Sequence, residues 1–134
     1  MTNNVCAVDT NVLLYLHDKS ALGKRALAMD ILSDNPIVST QVISEFINVS
    51  RRQLSISKAD ILLYSAELLK GCEISSVTSI TLLAASILVK RFYFQIFDSI
   101  IVASAIESGC NILYSEDMQH GMKVDNLLIL NPFV

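Results

Sequence analysis

The sequence lacks the features of a disulfide-stabilised, zinc-binding or membrane-spanning protein. Its three cysteines, Cys6, Cys72 and Cys110, are widely separated and form no CxxC pair, so neither a disulfide framework nor a zinc site is supported. Reduced thiols are typical of a cytoplasmic protein. The apolar runs are far shorter than the roughly 20 residues that span a bilayer. Residues 1–4 carry no basic segment before an apolar block, and we therefore expect no signal peptide.

Excess positive charge and linkers are also absent. The net charge of -3 and the pI of about 5.2 argue against binding nucleic acid through a bulk positive field. Pro36 and Pro132 are the only prolines, and no internal repeat or Pro/Gly-rich linker interrupts the 134 residues. We therefore predict a single domain over 1–134. Three basic pairs are interpreted as solvated helix surface, with phosphate contact as the alternative: Lys24-Arg25, Arg51-Arg52 and Lys90-Arg91.

Apolar residues, in contrast, are abundant. They make up 52% of the chain, and the mean hydropathy is +0.50. A subunit interface or a bound partner would explain this surplus. An apolar core with a few exposed leucines explains it equally well.

Strand-like and helix-like segments alternate along the chain. The continuous apolar run Val5–Val8 is typical of a strand buried on both faces. Further strands are predicted at 36–39, 72–77, 111–114 and 127–130, and helices at 11–17, 20–32, 40–52, 57–70, 79–92 and 98–109. Thr40, Ser57 and Ser79 are the predicted N-caps of the third, fourth and fifth helices. This alternation predicts an α/β fold: a three-layer α/β/α domain with a mostly parallel sheet of four to five strands. Ligand sites in such folds lie at the carboxyl ends of the strands.

Four carboxylates lie next to these apolar segments. Asp9 closes the first predicted strand, Glu45 lies within an apolar helix, Asp98 begins another, and Asp117 follows the strand at 111–114. Ionised carboxylates beside buried segments are costly unless they are paired or heavily hydrogen-bonded. None of the four has a lysine or arginine next to it in the sequence. If the fold brings them together, their repulsion requires a cation, and oxygen ligands favour Mg²⁺ or Mn²⁺.

Each of these acids also has an ordinary structural explanation. Asp9 could cap the following helix, but Asn11 is better placed for that role, which leaves Asp9 as a ligand. On a helical wheel Glu45 lies at the margin of the apolar arc, where it could border a cleft or simply be solvated. Asp98 could be no more than a helix cap, and the roles of cap and metal ligand are evenly balanced for it.

Glu116 and Asp117 are adjacent in a predicted loop, so their side chains diverge and only one is expected to reach a shared metal ion. We choose Asp117, with Ser115 as a supporting hydroxyl, although loop acids are usually just solvated. His17 and His120 do not stand at metal-ligand spacing and are assigned to a helix face and a surface loop.

The aromatic run Phe92-Tyr93-Phe94, with Phe97 following, is a further candidate feature. Packing is a better explanation for these rings than a platform on which bases stack.

In combination, the acidic motifs resemble those of the PIN-domain ribonucleases, especially the small VapC-type toxins of prokaryotic toxin–antitoxin pairs. The resemblance covers essentially the whole chain, and its motifs occur in the same order and spacing at 8–13, 39–46, 97–103, 113–118 and 131–133. It implies that Asp9, Glu45, Asp98 and Asp117 form an acidic, catalytic metal pocket. The accessory residues it implies are Asn11, Ser115 and the ambiguous Glu116.

The resemblance also implies an activity and partners. The expected reaction is Mg²⁺- or Mn²⁺-dependent hydrolysis of RNA phosphodiester bonds, leaving 5′-phosphates and 3′-hydroxyls. Divalent cations would invert the field of an acidic cleft that otherwise repels both phosphate and hydroxide. The expected partners are an RNA substrate, a cognate antitoxin and a second copy of the chain, with no membrane.

Two other classes of protein share part of the pattern. A haloacid-dehalogenase-like phosphatase also has an aspartate after strand one, a Ser or Thr after strand two (Ser39 or Thr40) and a late acidic pair. However, Asn11 stands where its general acid belongs, and its usual lysine has no clear counterpart. A receiver domain fits less well, because its acidic pair and its lysine are both missing. A non-catalytic interaction module is the remaining alternative, favoured by the high apolar content.

Overall fold

A computed structural model describes residues 4–134. Residues 1–3, on which most of the signal-peptide expectation rests, lie outside the described residues. The helices are α1 (Thr10–Tyr15), α2 (Leu22–Ser33), α3 (Thr40–Gln53), α4 (Lys58–Gly71), α5 (Ser79–Phe92) and α6 (Ile96–Glu107). The strands are β1 (Cys6–Val8), β2 (Ile37–Ser39), β3 (Glu73–Ser75), β4 (Ile112–Tyr114), β5 (Lys123–Val124) and β6 (Leu127–Leu130).

The strands form one sheet in the order β3-β2-β1-β4-β6-β5. All neighbours are parallel except β5, which runs antiparallel to β6. The sheet is mostly parallel and flanked by helices, which confirms the predicted fold class. It has six strands rather than four to five, because the two-residue β5 is too short to show an apolar pattern. A tight hairpin, with Asp125 at a φ of 54°, pairs β5 with β6.

The hydrophobic core lies around the central strands and α6. Val8, Val38 and Leu113 on three adjacent strands are almost completely buried, as is Phe46 of α3. Burying each such side chain contributes about 1.5–3 kcal/mol. Every residue of α6 from 99 to 105 is buried, so this helix is apolar nearly all round rather than amphipathic. The core therefore fixes β1, β4 and α6, the elements that carry or precede three of the four acids.

No single helix in the described part of the chain is both long and apolar enough to cross a membrane. Helices α5 and α6, which are bent by 115° relative to each other, are together long and apolar enough, judged by length and composition alone.

The first two strands lead directly into helices, and each connection has a polar cap. Asp9 caps α1, because its side chain accepts a hydrogen bond from Thr10 N. The prediction that Asn11 would be the better cap is wrong, since the helix already begins at Thr10. Ser39, the last residue of β2, caps α3 by accepting from Val42 N, whereas Thr40 was predicted for this role. The caps lie earlier than predicted, by two residues in α1 and by one in α3, because Asp9 and Ser39 already have the extended dihedral angles of a cap residue.

Two further helix starts also differ from the prediction. Thr78 rather than Ser79 caps α5, in a capping box with Thr81. Helix α6 begins at Ile96, after Gln95, so Asp98 lies inside its first turn rather than at its cap. The predicted cap of α4, Ser57, is confirmed.

Candidate functional site

A cavity of about 720 Å³ opens at the carboxyl ends of β1 and β4. Its lining contains all four predicted acids and two of the three accessory residues: Asp9, Asn11, Glu45, Asp98, Glu116 and Asp117. The third, Ser115, is buried and hydrogen-bonded to Asp9. The fold thus brings into one cavity acids from four separate segments of the chain. Their exposure increases from Asp9, which is buried, through the half-buried Glu45 and Asp98 to the exposed Asp117.

Asp9 is the most enclosed of these acids, with 4% of its surface exposed. Its Oδ1 accepts from Thr10 N at 2.7 Å, and its Oδ2 accepts from the Ser115 hydroxyl at 2.7 Å. Burial raises the pKa of Asp9 to about 6, a shift that these hydrogen bonds oppose and that the negative charges of Asp98 and Glu45 increase. Holding Asp9 ionised at neutral pH is therefore costly, and a cation in the cavity would offset that cost.

Glu45 is held by neighbours on both α1 and α3. Its Oε2 accepts from the Thr10 hydroxyl at 2.7 Å, and its Oε1 lies 3.4 Å from Gln41 Nε2. The side chain is half-buried beside the core residue Phe46, which agrees with its predicted position at the margin of the apolar arc. Thr10 was not among the predicted site residues. The only sequence signal for its role was a hydroxyl between Asp9 and Asn11.

Asp98 faces the same cavity from the first turn of α6. Burial raises its pKa, and the negative charges of Glu45 and Asp117 raise it further. The cap position of α6 belongs to Gln95, so capping does not account for Asp98. A carboxylate that is destabilised by its neighbours and lies in a cleft is a candidate functional group.

Glu116 and Asp117 differ in their partners. Glu116 Oε1 accepts from the Tyr15 hydroxyl at 2.6 Å, and Oε2 accepts from Lys24 Nζ at 2.7 Å. Although burial opposes the shift, the hydrogen bonds from Lys24 and Tyr15 lower the pKa of Glu116. Asp117 has no salt bridge or side-chain hydrogen bond within residues 4–134. The Glu116 carboxylate is thus already neutralised, whereas the Asp117 carboxylate is free to bind a ligand.

Asn11 lines the cavity with a donor that has no partner. Its Oδ1 accepts from Glu116 N at 3.3 Å, and this contact fixes the orientation of the amide. Its Nδ2 is buried and makes no hydrogen bond within the described residues, although Asn11 as a whole is only 8% exposed. Leaving such a donor unsatisfied costs about 1–3 kcal/mol. Because Nδ2 is itself buried, the role that the structure supports for Asn11 is to hold Glu116 N through its Oδ1.

The donor set matches a hard divalent cation in chemistry, although the side chains do not enclose one. Within residues 4–134, no three His, Cys, Asp or Glu side chains are close enough to hold an ion as they stand. Mg²⁺ does not require such a cage, since it keeps several waters and binds through one or two carboxylates plus a substrate phosphate. The free carboxylates of Asp98 and Asp117 and the raised pKa of Asp9 therefore fit Mg²⁺ or Mn²⁺.

The histidines lie outside this cavity. His17 stacks on Tyr64 with the ring centroids 4.2 Å apart, and His120 Nδ1 accepts from Asn131 N at 2.8 Å. The prediction that His17 lies on a helix face is wrong, because α1 ends at Tyr15 and His17 lies in the turn that follows, whereas His120 lies in a surface turn as predicted.

The aromatic run was only partly predicted correctly. Phe92 and Phe94 pack on the core and on each other, with ring centroids 6.0 Å apart. Tyr93 and Phe97, however, are 91% and 61% exposed, and Phe97 lines the acidic cavity. The packing interpretation is wrong for these two rings: Tyr93 is exposed in the turn between α5 and α6, at a φ of 59°, and Phe97 is exposed in the first turn of α6.

The basic pairs also divide into different roles. Lys24 binds Glu116, and Arg91 Nη2 lies 3.5 Å from Asp125. Arg52 lines the acidic cavity at the last turn of α3, whereas Arg51 does not line it.

Comparisons with known proteins identify the class of protein that this fold and site define. The family model of the PIN domain matches residues 6–121, and the chain therefore belongs to the PIN domain family. The phosphatase and receiver-domain alternatives have no support from this match. No curated protein matches the sequence.

Solved structures with the same fold include VapC toxins. VapC20 of Mycobacterium tuberculosis, described as a toxin that cleaves the sarcin–ricin loop, is 18% identical with a TM-score of 0.67, covering 84% of this chain and 89% of its own. A toxin–antitoxin complex from Klebsiella pneumoniae is 15% identical, with a TM-score of 0.67, and the match covers 97% of this chain and 98% of the chain in that structure. VapBC2 from Rickettsia felis, bound to a promoter DNA fragment, is 16% identical, with a TM-score of 0.68, and the match covers 93% of this chain and 96% of the chain in that structure.

Proposed function

We propose that this chain is a Mg²⁺- or Mn²⁺-dependent endoribonuclease, the toxin of a toxin–antitoxin pair, with residues 1–134 forming one PIN-like domain. The observation that carries the proposal is the convergence of Asp9, Glu45, Asp98 and Asp117 on one cavity, where burial and mutual repulsion raise the pKa of Asp9 and of Asp98. Membership of the PIN family and likeness in fold to VapC toxins support this reaction class.

The side chains of the site would have different roles in phosphodiester hydrolysis. Asp9, Asp98 and Asp117 would hold the metal ion, which when bound offsets the repulsion between acids and phosphate and increases the acidity of water. Glu45, held by Thr10, orients the attacking water and accepts its proton. Asn11 would position the loop that carries Asp117, since its Oδ1 accepts a hydrogen bond from Glu116 N. Attack of the water oxygen on phosphorus would break the bond to the 3′-oxygen, which takes a proton from solvent, so the products would carry a 3′-hydroxyl and a 5′-phosphate.

We also propose a cognate antitoxin, a homodimer and a cytoplasmic location. Two of the similar structures are described as toxin–antitoxin assemblies. Exposed apolar side chains form a stripe on α5 at Ile80, Leu83 and Ile87, and α4 exposes Leu62 and Leu69. Stripes of this kind favour a covered surface over a few scattered exposed leucines. The three free cysteines agree with a reducing compartment.

The activity is tested by incubating the purified full-length protein with single-stranded RNA. We expect cleavage with Mg²⁺ or Mn²⁺, none with a chelator, and none with the Asp9→Asn variant, while Asp30→Asn, an exposed acid on α2, cleaves normally. Cleavage in the chelator, or by Asp9→Asn at the wild-type rate, would refute the proposal. A calorimetric titration showing no Mn²⁺ binding would instead favour the non-catalytic module.

A further inference from the structure

We propose that the acidic cavity continues into a binding track for single-stranded RNA, in which Arg52 binds a phosphate flanking the cleavage site and Phe97 stacks on an unpaired base. This inference rests on the proposed function and specifies the form of its substrate. It concerns residues that line the cavity beside the acids, on α3 and at the start of α6.

The track follows one side of α3. The cavity lining includes Ser44, Asn48 and Arg52, which are spaced four residues apart and so lie along one face of the helix. Arg52 lies seven residues beyond Glu45, about 10 Å along the helix axis. A phosphodiester held at the acids would therefore place a neighbouring part of its own strand beside Arg52.

Arg52 is the only Lys or Arg side chain among the described residues that line this cavity. It takes part in neither salt bridge of residues 4–134, unlike Lys24 and Arg91. An unpaired guanidinium is well suited to hold phosphate oxygens through paired hydrogen bonds. Because the whole chain is acidic, local contacts of this kind, rather than a bulk field, must hold the RNA backbone.

Phe97 supplies the second contact. It precedes Asp98 directly, lines the cavity and remains 61% exposed, so one face of the ring can accept a base within reach of the metal pocket. Protein aromatic rings stack on bases that are splayed out of single strands, loops or bulges, whereas the bases of a duplex are covered by their neighbours. The two contacts together therefore select unpaired RNA.

Binding to a cleavage-inactive protein tests the track separately from catalysis. With full-length Asp9→Asn and a fluorescent single-stranded RNA, adding Phe97→Ala should weaken binding about 5- to 150-fold, the range typical of one lost base stack. Phe97→Tyr should restore it. Tyr93→Ala is the matched control, since Tyr93 is an exposed aromatic outside the cavity, and should bind as the parent does.

Arg52 is tested against its neighbour. Arg52→Ala should weaken RNA binding and reduce the slope of log affinity against log salt by about 0.7, the value for one phosphate contact on a single strand. Arg51→Ala removes the same charge from an exposed position outside the cavity, and should change neither the affinity nor the slope appreciably.

Three results would overturn the proposal. One is Phe97→Ala or Arg52→Ala behaving like its control. Another is a duplex of the same sequence binding as tightly as the single strand. The third is that Phe97→Ala or Arg52→Ala leaves RNA binding unchanged and weakens self-association or antitoxin binding instead, which would assign this surface to a protein partner. Failure of wild-type cleavage with normal RNA binding would refute the proposed function but not the track.

Discussion

Ser115 and Asp9, 106 residues apart in the sequence, are joined by a hydrogen bond of 2.7 Å from the Ser115 hydroxyl to Asp9 Oδ2. The pairing of Val8 with Tyr114 across the parallel strands β1 and β4 places them next to each other. The same hydroxyl accepts from Met118 N at 3.2 Å and so also holds the turn that carries Asp117. Ser115 thus positions two of the acids without itself lining the cavity.

Substitution of Ser115 by alanine should therefore disturb the acids rather than the fold. The hydrogen bond from Ser115 lowers the pKa of Asp9, so Ser115→Ala should raise that pKa further. Mn²⁺ affinity at pH 7 should fall, and the acidic limb of the pH–rate profile should move to higher pH. Calorimetric titration and initial rates between pH 5 and 8 would measure these shifts.

The matched control is Ser50→Ala. Ser50 is completely buried, but its hydroxyl has no hydrogen-bond partner within the described residues. This variant should leave the pH–rate profile in place. Equal shifts in both variants would show that loss of any buried serine, rather than the contact with Asp9, causes the effect.

The raised pKa of Asp9 predicts a pH dependence of stability in the absence of metal. The folded protein holds the Asp9 proton up to about pH 6, whereas the unfolded chain releases it near 3.8. Between these values the folded state binds more protons, so the free energy of unfolding must fall as pH rises. A shift of about two pKa units corresponds to roughly 3 kcal/mol, lost between about pH 4 and pH 7.

Asp9→Asn should remove this part of the pH dependence. An asparagine can still accept from Thr10 N and donate to the Ser115 hydroxyl, so its fold should persist. At pH 7 in a chelator, the variant should unfold at a higher urea concentration than the wild type, and at pH 4 the difference should vanish. A variant less stable than the wild type at pH 7 would contradict the predicted cost of the buried charge.

The general position of the site could be predicted from the sequence because it depends on local patterns. Short apolar runs mark the strands, and in a parallel sheet the residues just after them share one edge. Asp9 and Asp117 follow from this rule alone. Glu45 follows from helical periodicity, which places it at the edge of the buried face.

The contacts that distinguish neighbouring residues could not be predicted in this way. Lys24 and Glu116 lie 92 residues apart, and no periodicity indicates their pairing. The exposure of Phe97 in the first turn of α6 could not be predicted either, because its apolar character alone predicts burial. The cap of α1 was misassigned because a strand that leads straight into a helix leaves no loop residue to mark the boundary.

The different partners of Glu116 and Asp117 predict different effects of neutralising each. Asp117→Asn removes a free carboxylate from the cavity and should reduce both the Mn²⁺ affinity and the rate of cleavage by at least about tenfold, the range seen when groups that support a metal site are removed. Glu116→Gln should retain most of the activity but lower the melting temperature, because it breaks the pair with Lys24.

Thermal melts with and without Mn²⁺ would separate these two effects. Metal binding raises the free energy of unfolding by about 2.7 kcal/mol at a concentration of 100 times Kd. The Mn²⁺-induced rise in melting temperature should persist in Glu116→Gln and shrink in Asp117→Asn. The reverse pattern would identify Glu116 as the fourth acid.

Thr10 offers a test of whether Glu45 must be held in place. Its hydroxyl donates to Glu45 Oε2 at 2.7 Å, and Thr10→Val removes that donor while keeping the shape of the side chain. Glu45 would lose its shortest hydrogen bond, so we expect a fall in kcat of about tenfold or more with KM little changed, because orienting the attacking water matters only in the transition state. Thr10→Ser, which retains the hydroxyl, should restore kcat. If Thr10→Val keeps the wild-type kcat while Thr10→Ser loses it, packing of the methyl group rather than the hydrogen bond to Glu45 is what the site requires.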